Sequence, residues 1–247
     1  MSARWLPVIS AMALLVLGLT GCASAPETGK PTVAPADAAT SQPTFTPELA
    51  PDPYPGWTTY TNPSTGLSFR YPSNWYGPEV YESEDGVRLE VGSDVVYPYG
   101  TGLDERQPGA PNAYSIVIQY TLNRAGWTLE QYRAEQLWFN DTLAVLGMQD
   151  GESSTTARSL TTRVRSLAVG NFTGVEFITT LSETAQTERF YMRTAFLMDE
   201  DLNVLQIMGS PENVEITDPG NWREAFESVD AGNQAIFQEL VGSITVE

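Results

Sequence analysis

The sequence predicts an α+β fold, an antiparallel β-sheet meander with helices packed on it. Three observations lead to this class. Between residues 56 and 247, several short segments alternate apolar and polar residues, which is typical of half-buried strands. Two other segments repeat their apolar residues with helical period. Strands, a helix, more strands and a closing helix follow one another, and this order is typical of helices packed on a twisted sheet.

The first strands are predicted from strict alternation. "LSFRY" places Leu67, Phe69 and Tyr71 on one face, and "VRLEV" at 87–91 repeats the pattern. "YSIVIQYTL" at 114–122 has a continuous apolar face of every second residue. The turn residues Pro63 and Gly66 precede the first of these strands. We therefore expect the aromatic residues of this opening stretch to lie in the core.

A helix is predicted after Thr128, which is its expected N-cap. Its apolar stripe is interrupted by Gln136 and consists of Leu129, Tyr132, Phe139, Leu143 and Leu146. Four further strand segments follow, "SLTTRVRSLAV", "GVEFITTL", "ERFYMRTAFLM" and "LNVLQIM". The last two are joined by an acidic turn and form an antiparallel hairpin.

The closing helix is predicted to begin near "DPGNWREAF". Asp218 can cap it, and Pro219 suits its first turn. Its last part carries one apolar face, formed by Ile236, Phe237, Leu240, Val241 and Ile244. This helix is expected to pack on the sheet.

The N-terminal segment has the features of an export signal. Arg4 precedes the apolar run "WLPVISAMALLVLGL", and "LTGC" at 19–22 resembles the bacterial lipobox. Residues 1–21 are therefore expected to be a lipoprotein signal peptide, and Cys22 to become the lipidated N-terminus. Cys22 is the only cysteine, so the exported chain has no disulfide. Two or more acyl chains would give stable membrane anchoring on the extracytoplasmic face.

The segment from Cys22 to residue 55 is rich in Pro, Ala and Thr and has no apolar periodicity. Such a segment buries too little surface to offset its ordering entropy. We expect it to be a disordered tether between the lipid and one α+β domain at 56–247.

The two ends of this domain carry a family resemblance. A tyrosine-bearing segment, the turn "NPSTG", the strand "LSFRY" and "YPSNW" open it, and "FQELVGSITV" closes it. This arrangement resembles the Mog1/PsbP-like domains related to the PsbP subunit of photosystem II. The resemblance implies a layered α/β/α sandwich and a mostly non-catalytic role. It identifies no binding residue, because the matching motifs are structural.

Composition excludes several function classes. The chain carries a net charge of −18 and one lysine, so it lacks the electropositive surface that a nucleic-acid partner requires. There is no histidine, which excludes Ser-His, Cys-His and His-metal sites within this chain. No phosphate-binding or nucleophile-elbow motif occurs, and no cofactor is expected. Carboxylate chemistry remains open.

The sequence accordingly predicts a membrane-anchored lipoprotein of the bacterial cell envelope with a non-catalytic domain. This domain is expected to bind another envelope protein or a small ligand. Two alternatives stay open: a carboxylate-based hydrolase and a divalent-cation-binding accessory protein.

Three groups of residues are candidate sites. A possible anion-binding cluster is formed by Arg163, Arg165, Arg189 and Arg193, with cross-strand pairing to Glu176 and Glu188 as the alternative. Possible recognition aromatics flank a Gly/Pro-rich loop, with a packed loop as the alternative: Tyr97, Tyr99 and Trp127. Weak calcium candidates form the acidic turn, with a solvated hairpin as the alternative: Asp199, Glu200 and Asp201.

Overall fold

The strands of the structure pair in antiparallel fashion. The structure is a computed structural model, and it describes residues 56–102, 105–135, 139–156, 159–181 and 189–247. These residues all belong to one compact unit, residues 51–247. The signal peptide, Cys22 and the tether lie outside the described residues. So do Gln136 and Glu188.

The described strands and helices follow the predicted order, with the eight-residue β3 and the two-residue β6 in addition. The region of the one helix predicted after Thr128 contains two described helices, α1 and α2. The strands are β1 (Trp57–Thr61), β2 (Leu67–Pro72), β3 (Tyr76–Ser83), β4 (Gly86–Gly92), β5 (Ala113–Thr121), β6 (Ser154–Thr155), β7 (Ser159–Val169), β8 (Phe172–Leu181), β9 (Tyr191–Met198), β10 (Val204–Glu212) and β11 (Thr245–Val246). The helices are α1 (Leu129–Glu135), α2 (Phe139–Val145) and α3 (Trp222–Gly242).

The strands form two sheets, and every neighbouring pair is antiparallel. The larger sheet has eight strands in the order β3-β4-β5-β10-β9-β8-β7-β6. It consists of two meanders that meet where β5 pairs with β10, for example Ile118 opposite Ile207. The smaller sheet has the order β1-β2-β11. The predicted α+β class with antiparallel strands is confirmed, and the larger sheet contains meanders.

Adjacent residues of the central strands point into two different cores. In β9, Leu197 belongs to a core with β2, β4, β5 and α3, whereas Phe196 belongs to a core with α1 and α2. In β10, Leu205 belongs to the first of these cores and Val204 to the second. Because successive strand side chains alternate between faces, these cores cover opposite faces of the eight-stranded sheet. The helices therefore pack on both faces.

The turn "NPSTG" is built around one buried side chain. Asn62 is fully buried, and its Oδ1 accepts hydrogen bonds from the backbone N–H groups of Ser64 and Thr65 at 3.1 and 3.0 Å. Its Nδ2 donates to Glu82 of β3 at 2.8 Å. The hydrogen bond from Asn62, and to a smaller extent the one from Ser64, holds the pKa of Glu82 below its usual value. The turn therefore joins the small sheet to the edge of the large one.

The predicted helix start at Thr128 is confirmed by its capping contacts, whereas Asp218 lies one short turn before α3, whose N-cap is Asn221. The Thr128 hydroxyl accepts from Gln131 N at 3.3 Å, and Gln131 Oε1 accepts from Thr128 N at 2.8 Å, which is a reciprocal capping box. Asp218 accepts from Gly220 N at 2.9 Å and caps a short 3-10 turn that leads into α3. In the part of the chain that the structure describes, no helix is long and apolar enough to cross a membrane.

Candidate functional site

The four candidate arginines do not form one exposed cluster, because Arg193 is buried and β8 lies between β7 and β9. Arg193 is only 2% exposed and lies in the large sheet beneath α3. Its Nε and Nη2 donate to the two carboxylate oxygens of Asp230 at 3.0 and 2.5 Å. Its Nη1 donates to Glu176 at 2.5 Å, and Arg165 bonds the other oxygen of Glu176. The predicted pairing with Glu176 is confirmed.

Two tyrosines complete this buried ion network. The hydroxyls of Tyr114 and Tyr191 donate to the two oxygens of Asp230 at 2.9 and 3.0 Å. Asp230 itself is fully buried within α3. Burial alone would lower the pKa of Arg193, but its bonds with Asp230 and Glu176 raise it overall. The network fixes α3 on the sheet, and Arg193 has no exposed surface with which to bind a ligand.

The other two arginines lie outside this network. Arg163 is half-exposed and forms an ion pair with Glu227 on α3. Arg189 is exposed at the residue before Phe190. An anion-binding cluster of all four arginines would need Arg193 at the surface, so the structure corrects that grouping.

Burial raises the pKa values of Tyr114 and Tyr191, and the neighbouring Asp230 carboxylate raises them further. Both are expected to stay protonated in the folded protein above pH 10, where unfolded tyrosines ionise. The stability that they contribute is fully present below about pH 10. As the pH rises above about 10, the free energy of unfolding should fall by about 1.4 kcal/mol per pH unit for each of these two tyrosines.

This prediction is checked by denaturant unfolding at several pH values between 9 and 11.5. Tyr114→Phe removes one raised tyrosine pKa, so the stability of the variant should fall less steeply with pH than that of the wild type. Parallel slopes for the two proteins would contradict the assignment.

The recognition aromatics separate into two places. The Tyr99 ring lies 4.7 Å from that of Tyr81 on β3, and the Arg88 guanidinium lies 4.8 Å from the Tyr99 centroid. Tyr97 lies in the same loop, and its hydroxyl accepts from Gln107 N at 3.0 Å. Trp127 instead packs edge-on against Tyr132 at 5.2 Å, beside the core beneath α1 and α2. Trp127 is therefore a packing residue and not a member of this surface.

Exposed large apolar side chains are concentrated along β3 and the loop after β4. Of the six such residues in the described part of the chain, five lie here: Tyr76, Val80, Tyr81, Val95 and Tyr99. We call this group the β3 aromatic edge. β3 is the outermost strand of the eight-stranded sheet, so its outer backbone edge has no strand partner among the described residues. The sequence signal for it, Tyr76, Val80 and Tyr81, was missed.

The β3 aromatic edge is bordered by acidic side chains. Glu79 and Glu82 lie on β3 itself, and Glu84 follows it. A cleft of about 500 Å³ lies beside Tyr97, and its lining includes Glu90, Asp94, Glu212 and Arg106. The surface therefore combines exposed aromatic rings with negative charge.

The acidic turn Asp199–Asp201 closes the β9–β10 hairpin. The two carboxylate oxygens of Asp199 accept from the backbone and side-chain nitrogens of Asn203, each at 2.8 Å. Among the residues described, no group of three or more acidic, cysteine or histidine side chains is arranged to hold a metal ion. The calcium candidates Asp199, Glu200 and Asp201 thus gain no geometric support, and Asp199 acts in the turn.

A second cleft lies on the face of the large sheet that α1 and α2 cover. Its floor comes from every second residue of three neighbouring strands, including Thr161, Thr179 and Thr194. Thr194 is 1% exposed, and its hydroxyl has no hydrogen-bond partner among the described residues. We call this the threonine cleft. Sequence reasoning missed it, although alternation in these strands places all three threonines on one face.

Thr194→Val is expected to raise the free energy of unfolding by about 1 kcal/mol, because valine is isosteric and removes a buried hydroxyl without a partner. Chemical denaturation measures the change. The control Thr61→Val removes a hydroxyl that donates to Ser68 at 3.0 Å, so it should not stabilise the protein. A loss of stability in Thr194→Val would mean that its hydroxyl is bonded.

Comparison with models of known protein families found no match, and no curated protein matched the chain either.

Proposed function

We propose that this protein is a membrane-anchored lipoprotein of the bacterial cell envelope whose non-catalytic domain binds another envelope protein. The binding surface is the β3 aromatic edge. The observation that carries this proposal is the concentration of five exposed apolar side chains on one outer strand and its neighbouring loop. Tyr81 and Tyr99 are in contact, whereas Val80 lies on the opposite face of β3, so exposed apolar groups flank the strand edge on both faces. Exposed apolar groups beside an edge strand are typical of protein interaction sites.

The proposed partner segment is extended and basic. β3 is the outer strand of the large sheet among the described residues, and an added strand could form backbone hydrogen bonds along it. Residues 56–247 hold 11 of the 13 basic residues and 27 of the 31 acidic ones, which leaves a side-chain charge of −16. Glu79 and Glu82 add local negative charge on the strand. Lysine or arginine side chains of the partner would pair with these carboxylates and stack on exposed tyrosine rings.

A second copy of the chain fits this edge poorly. In the antiparallel register that places Glu79 opposite Glu82 of the other copy, like charges would face one another, which is destabilising. Charge complementarity therefore favours a different protein over self-association.

The proposal also includes the Mog1/PsbP-like fold and the lipid anchor. Support for the fold is that β11 pairs with β2, which joins the two sequence ends that carry the resemblance. Support for the anchor is "LTGC" directly after an apolar run. Mass spectrometry of membrane-extracted protein tests the anchor. The proposal requires a chain that starts at lipidated Cys22, and an unmodified Cys22 contradicts it.

The binding surface is tested with a synthetic peptide of eight alternating lysine and valine residues, measured by calorimetry at low and moderate salt. We expect it to bind the wild type and to weaken with added salt. Tyr81→Ala together with Tyr99→Ala should weaken binding about tenfold, since exposed aromatic contacts each contribute about 0.5–1 kcal/mol.

Thr58→Ala provides the matched control, because Thr58 is exposed on the small sheet. An alternating glutamate–valine peptide controls for charge. Equal binding of the two peptides, or equal binding to the two protein variants, would contradict a basic partner on the β3 aromatic edge.

A further inference from the structure

The threonine cleft has a volume of about 310 Å³ and a regular floor. Thr161, Thr179 and Met192 form one row of cross-strand neighbours over β7, β8 and β9. Phe177 and Thr194 form the next row. Thr142 and Val145 of α2 contribute to the wall. The cleft is thus built by elements that the fold already fixes, which favours a preformed site.

None of the described residues that line this cleft is charged, although the domain is strongly acidic. Its polar groups are hydroxyls and the Gln206 amide, and its apolar surface comes from residues such as Phe177, Phe190 and Met192. Phe190 is the one large exposed apolar side chain of the described residues that does not belong to the β3 aromatic edge. A charged ligand would find no counter-charge here, and its desolvation would be unfavourable.

We infer that the threonine cleft binds a neutral, mostly apolar small molecule that carries an alcohol or carbonyl oxygen, and that Thr194 hydrogen-bonds this oxygen. The volume lies at the lower end of the range for ligand pockets. A dry cavity of about 150 Å³ accepts one benzene ring, so 310 Å³ allows a ligand of about twice that size. This site is separate from the proposed protein-binding surface.

The hydroxyl of Thr194 distinguishes a ligand site from an ordinary strand face. Threonine is common in strands, and the opposed Thr161 and Thr179 are an ordinary cross-strand pair. Thr194 is different, because a buried polar group without a partner is rare in native proteins. A ligand oxygen in the cleft would supply that partner.

The test uses the full-length protein in detergent, labelled with ¹³C at its methionine methyl groups. The chain has six methionines, so the Met192 signal can be assigned with Met192→Leu. The probes are 4-fluorobenzyl alcohol, its hydrocarbon analogue 4-fluorotoluene, and the charged analogue 4-fluorobenzoate. Because wild type and variants are measured in the same detergent, partition of a probe into micelles affects them equally.

We expect the alcohol to shift the Met192 signal in a saturable way and the benzoate to bind at least tenfold more weakly. Thr194→Val should weaken binding of the alcohol about three- to tenfold and leave the hydrocarbon unchanged. Thr161→Trp should abolish binding of both by filling the cleft. Ser159→Trp, at the more exposed end of the cleft, serves the same purpose if Thr161→Trp does not fold.

Two results would overturn the inference. One is a Met192 signal that no neutral probe shifts in the wild type. The other is an affinity for the alcohol that Thr194→Val leaves unchanged, which would make the hydroxyl irrelevant to the cleft.

Discussion

Asp230→Ala is expected to lower the free energy of unfolding by about 3–5 kcal/mol, because it leaves the buried Arg193 guanidinium without its two bonds to Asp230. The hydroxyls of Tyr114 and Tyr191 lose their acceptor at the same time. The loss is a large part of the 5–15 kcal/mol that is typical of a domain. Denaturant unfolding, followed by tryptophan fluorescence, measures it.

Glu227→Ala is the matched control for Asp230→Ala. Glu227 lies one turn earlier in α3 and pairs with Arg163, but both side chains are about half-exposed. An exposed ion pair contributes about 0–1 kcal/mol, so this variant should be nearly as stable as the wild type. If both variants lose the same small amount, the network beneath α3 does not hold the helix on the sheet.

A double variant separates the charge from the packing. Asp230→Leu with Arg193→Met removes both charges together, and replacing a buried ion pair by apolar residues of similar size is often nearly neutral. The double variant should therefore lose less stability than the sum of the two single variants. Additive losses would show that the two side chains are not coupled.

Phe69→Ala is expected to lower the free energy of unfolding by about 3–5 kcal/mol through loss of buried surface and the cavity left behind. Phe69 is fully buried, and its ring lies 5.7 Å from that of Tyr60 and 5.8 Å from that of Tyr71. Ser68→Ala, on the opposite face of β2, should lose less than about 1 kcal/mol. Equal small losses at both positions would contradict the packing of β2 against the main core.

Periodicity and capping residues were sufficient to predict the central strands and the start of α1. They did not give the end of α3, because Ile244 was placed on the helix and α3 ends at Gly242. The alternating apolar residues of β5 and β10 and the capping residue Thr128 each carry a local signal, because burial and capping depend on neighbours in sequence. The order of the strands carries none. Paired residues of β5 and β10 are 83–99 positions apart, and those of β2 and β11 are 177 and 179 apart, so these contacts depend on the whole fold.

Edge strands were harder to predict for a related reason. β3 contains Pro78 and exposes much of its surface, so it lacks the clean alternation of a half-buried strand. β1 is also mostly exposed, and its place in the fold came only from the family resemblance. Strands of this kind are formed by pairing with a stronger neighbour.

The arginines show why candidate sites are harder to predict than strands. Alternation correctly places Arg165 and Glu176 within reach of each other. It gives no indication that Asp230, on a helix 37 residues after Arg193, completes the pairing. The predicted group of recognition aromatics was also only partly correct. Tyr97 and Tyr99 lie in the same loop, but Trp127 packs against Tyr132 beside another core.

Photo-crosslinking in the native envelope tests the central proposal most directly. A benzoylphenylalanine residue is placed at Tyr99 in the β3 aromatic edge and, as the control, at Ala235, an exposed position on α3. The proposal predicts a crosslink from position 99 to a segment rich in lysine or arginine of one other envelope protein, with no such product from position 235. The same products from both positions, or a crosslink from position 99 only to a second copy of this chain, would contradict it.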